Sequence, residues 1–451
     1  MIVAAPRSAP REESSLAHAA ARPPRVAILV NNPYVADSRA WKIARSLGDA
    51  GYDVTVVARE GDGLPQREQL PGHRAVRVVQ PRPLAHLPVP RLPAAEAAPV
   101  GRAGRVRRGV RETVGRAAQA GRYLMLTRAW AERIRQAVEP VDIWQAEDIV
   151  TLPLAVALRR RHGGRVVYDA NDIDTEAGRL ARLPAPWRAL LRRRERSLAR
   201  SVDALVTVSP QYADVLTRTL RRPMDAVVRN GPTWFDPPDP PERRFHARLG
   251  LAPPTRVVLY LGQLMEGRGV EELSHAIGLV ERAVLVVAGF GPDYERYRAL
   301  AASLPHAERI HFLGAIAPDD IPAWNASADV AAMPVQPDTL NHRLNTPTKL
   351  FDAMGTGVPV VASDLPGIRS VVLETGCGQL CDPSDPADIA RAIRTILDAS
   401  DADRASYRAR CLAGARGPYS WDRQADVLIG VYAGLGWPPI SAAAAAHSAP
   451  A

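Results

Sequence analysis

Val257-Val258-Leu259-Tyr260-Leu261-Gly262-Gln263-Leu264-Met265-Glu266-Gly267-Arg268-Gly269 is an apolar run that stops at a glycine, crosses a short loop and continues through Val270, Leu273, Ile277 and Val280. A short apolar run bounded by glycine reads as a buried strand, and apolar residues three and four apart read as a helix. Strand, glycine loop and helix together make the repeating unit of a doubly wound α/β sheet. The same alternation predicts further strands at 283–289, 310–313, 329–334 and 358–363. Upstream it predicts strands at 25–31, 52–58, 75–79, 142–145, 165–169, 204–208 and 226–228, with helices such as 38–50 and 152–161 between them. Pro237, Pro238, Pro240 and Pro241 interrupt the pattern as a linker. Open twisted sheets rarely exceed ~10 strands, so two domains are expected, an N-terminal one over 25–235 and a C-terminal one over 236–420. Residues 1–24 and 438–451 are expected to be disordered, and 81–121 to form an insertion running into a basic helix.

The composition is that of a globular protein, with 46% hydrophobic and 24% charged residues in 451, which excludes wholesale disorder and fibrous classes. Lys+Arg total 58 against 48 Asp+Glu, a net charge of +10. The charge is uneven: residues 1–235 hold 39 basic and 23 acidic residues, and the remainder 19 and 25. The basic character therefore belongs to the first half. Arg102, Arg105, Arg107, Arg108 and Arg111 form one cluster there; Arg188, Arg192, Arg193, Arg194, Arg196 and Arg200, around Trp187, Leu190 and Leu191, form another. Such stretches fit docking to an anionic membrane or a solvated helix face. Nucleic acid is not an expected partner, because no RNP, KH, zinc-finger or basic-zipper pattern accompanies the charge. Cys377, Cys381 and Cys411 support neither a disulfide framework nor a zinc site, and point to a reducing cytosol. The first 24 residues read as neither signal peptide nor anchor, so a cytoplasmic protein, peripheral on the membrane's inner face at most, is expected.

Lys42 and Lys349 are the only lysines. Lys42 reads as solvated; Lys349 lies in Asn345-Thr346-Pro347-Thr348-Lys349-Leu350-Phe351-Asp352-Ala353-Met354-Gly355-Thr356-Gly357-Val358-Pro359-Val360-Val361-Ala362-Ser363. Thr346 is a suitable helix N-cap, Pro347 a suitable first helical residue, and the glycines end the helix. Thr348 and its neighbours thus present backbone amides and a positive dipole end, with Lys349 one turn in, as a diphosphate site. Asp352, three residues on, shares Lys349's side of the helix and can accept two ribose hydroxyls. Gly262 and Gly269 frame a second phosphate-facing loop from which Arg268 reaches a pyrophosphate. Gly289-Phe290-Gly291-Pro292 offers backbone for a nucleobase. All three elements follow strands, at the carboxyl ends where α/β sheets bind ligands.

Together with Asp37-Ser38-Arg39, Val167-Tyr168-Asp169-Ala170-Asn171-Asp172, Thr207-Val208-Ser209, Arg229-Asn230-Gly231-Pro232 and Tyr419-Ser420-Trp421, these residues resemble the family-four retaining glycosyltransferases of GT-B fold, from Arg25 to about Trp437. The resemblance implies two Rossmann-like doubly wound domains facing across a cleft, with a helix over 421–437 crossing back to the first. It implies that the C-terminal domain binds a nucleoside diphosphate sugar, used as substrate with no cofactor or metal, and that the N-terminal domain binds a carbohydrate or lipid-linked acceptor of cell-envelope polysaccharide type. Arg268 and Lys349 are then expected to neutralise the leaving diphosphate, Asp352 to hold the ribose, and Asn171 to contact the transferred sugar. Asp37, Arg39, Glu147, Asp148 and Asp172 are acceptor-side candidates.

Three departures from the family pattern stand out. Leu344 takes the place of the first of two glutamates spaced eight apart, Asn171-Asp172 the place of His-Glu, and Gln145 and Glu147 the places of two histidines. They motivate one alternative, a catalytically degenerate nucleotide-sugar-binding subunit; the other, a nucleotide-sugar epimerase of the same fold, needs paired acid/base residues on the sugar, and the missing histidines count against it. A dinucleotide-dependent dehydrogenase is excluded, because 31–37 lacks the glycine fingerprint.

Overall fold

The structure is a computed structural model that describes residues 22–439 except Ala36, 82–126, Trp234 and Pro240. The first basic cluster and most of the insertion lie outside these residues. Fourteen strands, β1 to β14, form two sheets among the described residues.

The first sheet holds β1 (Arg25–Leu29), β2 (Asp53–Arg59), β3 (Arg67–Leu70), β4 (His73–Val78), β5 (Ile143–Ala146), β6 (Arg165–Ala170), β7 (Ala204–Thr207) and β8 (Ala226–Val227), in the order β3-β4-β2-β1-β5-β6-β7-β8. Its neighbours β4, β2, β1, β5 and β6 pair in parallel, as do β7 and β8. Only β3, an edge strand read from neither alternation nor apolarity, pairs antiparallel, with β4. The second sheet holds β9 (Arg256–Leu261), β10 (Ala283–Ala288), β11 (Ile310–Gly314), β12 (Val330–Met333), β13 (Val360–Ser363) and β14 (Gly378–Cys381), ordered β11-β10-β9-β12-β13-β14 and parallel throughout. Its inner strands β9, β10, β12 and β13 are buried on both faces, so they read as continuous apolar runs. Val258, Tyr260, Leu285, Val287, Val330 and Ala332 pack on the helices Val270–Ala276 and Pro386–Leu397 to form one core, and Met333, Val360 and Ala362 pack on Leu350, Phe351 and Met354 to form another.

By its contacts the chain divides into two compact units. One runs to Tyr168 and includes Ser201–Asp203; the other holds Asp169–Arg200 and Ala204–Pro438. Sheet membership thus changes at the proline linker near 236, whereas this division falls earlier, within β6. In the second unit the helix Trp421–Gly434 packs on β8. Trp421 N donates to Pro232 O (3.1 Å), and Gln424 Oε1 accepts from Arg229 N (2.9 Å). The helix of the predicted 421–437 segment therefore returns to the edge strand of the first sheet.

Two expectations are corrected. Residues 22–24, expected to be disordered, are held in place: Arg22 makes two hydrogen bonds to Asp142 (2.8 and 2.9 Å), and Pro24 O accepts from Asp53 N. Lys42 is buried rather than solvated, because it lies three residues after buried Arg39, beside Ile43, on the inner face of the helix Ser38–Asp49.

Candidate active site

In the second sheet the chain reverses direction of travel between β9 and β12, and the loops after these two strands meet. Gly269 has φ 73°, and a Cβ there would lie 1.8 Å from Pro334 O. Likewise Gly289 (φ 151°) could carry a Cβ only 1.8 Å from Gly262 O. These glycines are required first by loop packing on loop. This is the switch point where doubly wound sheets hold ligands.

Into it come two cations. Lys349 Nζ sits 4.0 Å from the centroid of the buried Tyr260 ring, whose quadrupole accommodates the ammonium. The Tyr260 hydroxyl is fixed by donation to Gln263 O (2.7 Å). Arg268 reaches only Met265 Sδ, at 3.9 Å, and its buried Nε has no acceptor. Neither forms a salt bridge with a carboxylate among the described residues, although the Arg268 charge acts on Asp172. Burial, and then the nearby Arg268 charge, push the Lys349 pKa well below its ordinary value.

The helix that carries Lys349 spans Thr348–Gly355. It starts one residue later than expected, which corrects the cap assignment. Pro347, at φ −66° and ψ 140°, occupies the N-cap position, and Leu350 N donates to Pro347 O (2.9 Å). Proline has no side-chain oxygen to cap with. The amides of Thr348 and Lys349 therefore stay open, the buried Thr346 Oγ1 has no partner, and Lys349 is the second helical residue rather than one turn in. Half-buried Asp352 lies on the following turn. Phe290 is exposed between Gly289 and Gly291.

Asp172 Oδ1 accepts from Asn341 Nδ2 (2.8 Å); Asn341 Oδ1 in turn accepts from Ile173 N (2.8 Å) and the Tyr212 hydroxyl (2.7 Å). Burial raises the Asp172 pKa, while the Asn341 hydrogen bond and then the Arg268 and His342 charges pull it back. Asp172, expected on the acceptor side, lies within the field of Arg268 and in the same compact unit. Half-buried Asn171 immediately precedes it, its backbone N bonded to Asp169 O (3.0 Å). The sequence gives no signal for Asn341. Tyr260, the one polar-tipped residue of the 257–261 apolar run, could have been noticed.

The remaining candidates lie in the other unit. Asp37 caps the helix Ser38–Asp49 through Ala40 N (3.1 Å) and accepts from Asn32 Nδ2 (2.7 Å). Asn32 Oδ1 also holds Tyr34 N, in a left-handed conformation (φ 60°) that bulky side chains rarely adopt. Arg39 is buried. Glu147 is buried and accepts from Gln145 Nε2. Asp148 Oδ1 accepts from Val150 N, Thr151 N and Thr151 Oγ1, so that oxygen organises the turn into the helix Leu152–His162. Burial raises its pKa.

Residues 36–231 match the family model described as Glycosyltransferase Family 4, and residues 255–399 the model described as Glycosyl transferases group 1. The chain belongs to the family-four type of GT-B glycosyltransferases. Among curated relatives, a D-inositol 3-phosphate glycosyltransferase of Xylanimonas cellulosilytica is 30% identical over 255 residues, 53% of this chain and 58% of that one. A GDP-mannose-dependent alpha-(1-6)-phosphatidylinositol monomannoside mannosyltransferase of Mycobacterium tuberculosis is 33% identical over 176 residues, 37% and 44% of the two chains. The chain spans about half the length of the curated relatives it matches. Sucrose-phosphate synthase from Thermosynechococcus elongatus shares the fold with a TM-score of 0.68 at 17% identity, over 91% of this chain and 99% of that one. HepE of Anabaena, solved with UDP-glucose, shares it with a TM-score of 0.62 at 16% identity, over 91% and 99%.

Proposed function

We propose that the protein transfers a sugar from a nucleoside diphosphate sugar to a carbohydrate or lipid-linked acceptor, with retention and without a metal. The observation that carries this reading is the Arg268–Lys349 pair, two adjoining cations that form no carboxylate salt bridge among the described residues, at an uncapped helix start. A diphosphate supplies the missing negative charge, and the cations stabilise it as it leaves. The open amides of Thr348 and Lys349 add hydrogen bonds to its oxygens. In front-face retention a donor phosphate oxygen accepts the acceptor's proton, so no protein base is needed. Asp352 is then the ribose ligand, and exposed Phe290 marks the nucleobase end.

The test is a transfer assay over UDP-, GDP- and TDP-sugars, with and without EDTA, reading the anomeric configuration of the product by NMR. Failure to bind any donor in a folded sample sinks the reading. Loss of activity in EDTA removes metal independence, and an inverted anomer removes retention. An epimerised donor formed without acceptor supports the epimerase instead, and tight donor binding without turnover supports a degenerate subunit.

For a lipid-linked acceptor we propose that the helix Ala185–Ala199 meets an anionic surface through exposed Leu190 and Arg193. Its Arg188 and Arg192 are engaged with Glu176, and Arg196 donates to Thr219 O (2.7 Å), so the cluster offers fewer free charges than its sequence suggests. Equal recruitment to neutral and anionic liposomes at low salt would remove this contact. No helix among the described residues is long and apolar enough to cross a membrane.

A further inference from the structure

A cavity of about 230 Å³ lies within the second compact unit, lined by Ser209, Gln211, Arg229, Thr346, Glu374 and Tyr419 among others but by neither Arg268 nor Lys349. Its lining is polar and incompletely satisfied. The Thr346 hydroxyl and Gln211 Oε1 are buried and have no hydrogen-bond partner; Thr346 is 4% exposed. Gln211 Nε2 is tied to Ser370 Oγ (3.0 Å), which fixes the direction of the free Oε1. The Arg229 guanidinium lies 5.3 Å from the Tyr419 ring centroid and makes no hydrogen bond among the described residues. The cavity also borders the start of the helix Pro210–Leu220, where Ser209 Oγ takes the Tyr212 amide and Pro210 has none. Opposite, Glu374 accepts from the Tyr419 hydroxyl and keeps a second carboxylate oxygen for another donor.

We propose that this cavity is a binding site for a small hydroxylated oxyanion, a phosphate group carried on a short polyol. The guanidinium, the helix start and the Thr346 hydroxyl suit the oxyanion; Gln211 Oε1 and the Glu374 carboxylate need hydroxyl donors, which a bare phosphate lacks at its far side. The volume suits the size: it corresponds to nearly eight waters at ~30 Å³ each, room for a three-carbon phosphate. The cavity shares Thr346 with the helix start of the donor reading, and the Lys349→Met arm below separates the two sites.

The experiment is a calorimetric titration of the full-length protein with glycerol 3-phosphate, inorganic phosphate and glycerol. Glycerol 3-phosphate binds saturably and at least ~10-fold tighter than either fragment. Arg229→Gln and Gln211→Leu each weaken it about 10-fold, and Lys349→Met leaves it unchanged. If Arg229→Gln does not fold, Gln211→Leu carries the comparison. Three results overturn the proposal: no saturable binding, inorganic phosphate binding equally well, or loss in Lys349→Met with Arg229→Gln unaffected, which assigns the anion to the donor site.

Discussion

Lys349 concentrates most of the site's electrostatic tension. Its folded pKa lies below the ordinary value of 10.5, so the unfolded chain holds the proton more strongly. Unfolding then takes up protons between the two pKa values, and stability rises as pH climbs through that window. Burial and the Arg268 charge thus make a proton on Lys349 costly in the ligand-free fold. Lys349→Met is therefore expected to raise the melting temperature of the ligand-free protein and flatten its alkaline pH dependence. The same variant should bind nucleoside diphosphates about 10- to 100-fold more weakly, since one charge-assisted hydrogen bond is worth ~1.5–3 kcal/mol. Calorimetry with and without donor reads both effects, and unchanged donor affinity removes Lys349 from the site. Asn341 works in the opposite sense: Asn341→Ala strands Ile173 N, the Tyr212 hydroxyl and Asp172, and should cost at least ~2 kcal/mol in urea denaturation. The sequence revealed Lys349, rare in an arginine-rich chain and placed beside a helix start. It could not reveal Asn341, whose partners lie 129 to 169 residues away.

At the scale of elements, the parallel strands were legible because burial on both faces leaves only apolar residues to use. β3, Arg67-Glu68-Gln69-Leu70, is a half-solvated edge held by backbone pairing with β4 and has no apolar signature. β14 is likewise a short edge, Gly378-Gln379-Leu380-Cys381, with a single buried side chain. The helix at Thr348 was found but its first residue was misplaced, since a proline can serve as either cap or first turn. Loop glycines give the sharpest prediction at this scale. Gly269→Ala adds a Cβ against Pro334 O at positive φ, so the Arg268 loop must shift by more than an ångström. Donor binding should fall at least ~10-fold while circular dichroism of the sheets is retained; wild-type affinity would show that the loop does not set the site.

Across the molecule, the net +10 resolves into a basic first half and an acidic second half, and part of the basic surplus is spent on internal pairs such as Arg188 and Arg192 with Glu176. The returning helix Trp421–Gly434 joins what sequence order separates. Trp421, Leu428 and Tyr432 are buried on it, and at ~1.5–3 kcal/mol for each buried side chain its removal should cost upward of about 4 kcal/mol. A chain ending at Ser420 should therefore unfold at markedly lower urea concentration than the full chain. An unchanged midpoint would mean the helix contributes nothing to the second unit.

That return also sets a schedule for synthesis. β8 leaves the ribosome about 200 residues before the helix that covers it, a delay of ~10–40 s at ordinary elongation rates. Throughout that interval the edge of the first sheet is bare, and an unpaired edge is a template for pairing with another chain. Crowding of nascent chains on one messenger, rather than the stability of the finished protein, should thus limit the yield of folded protein, and slower initiation should improve it.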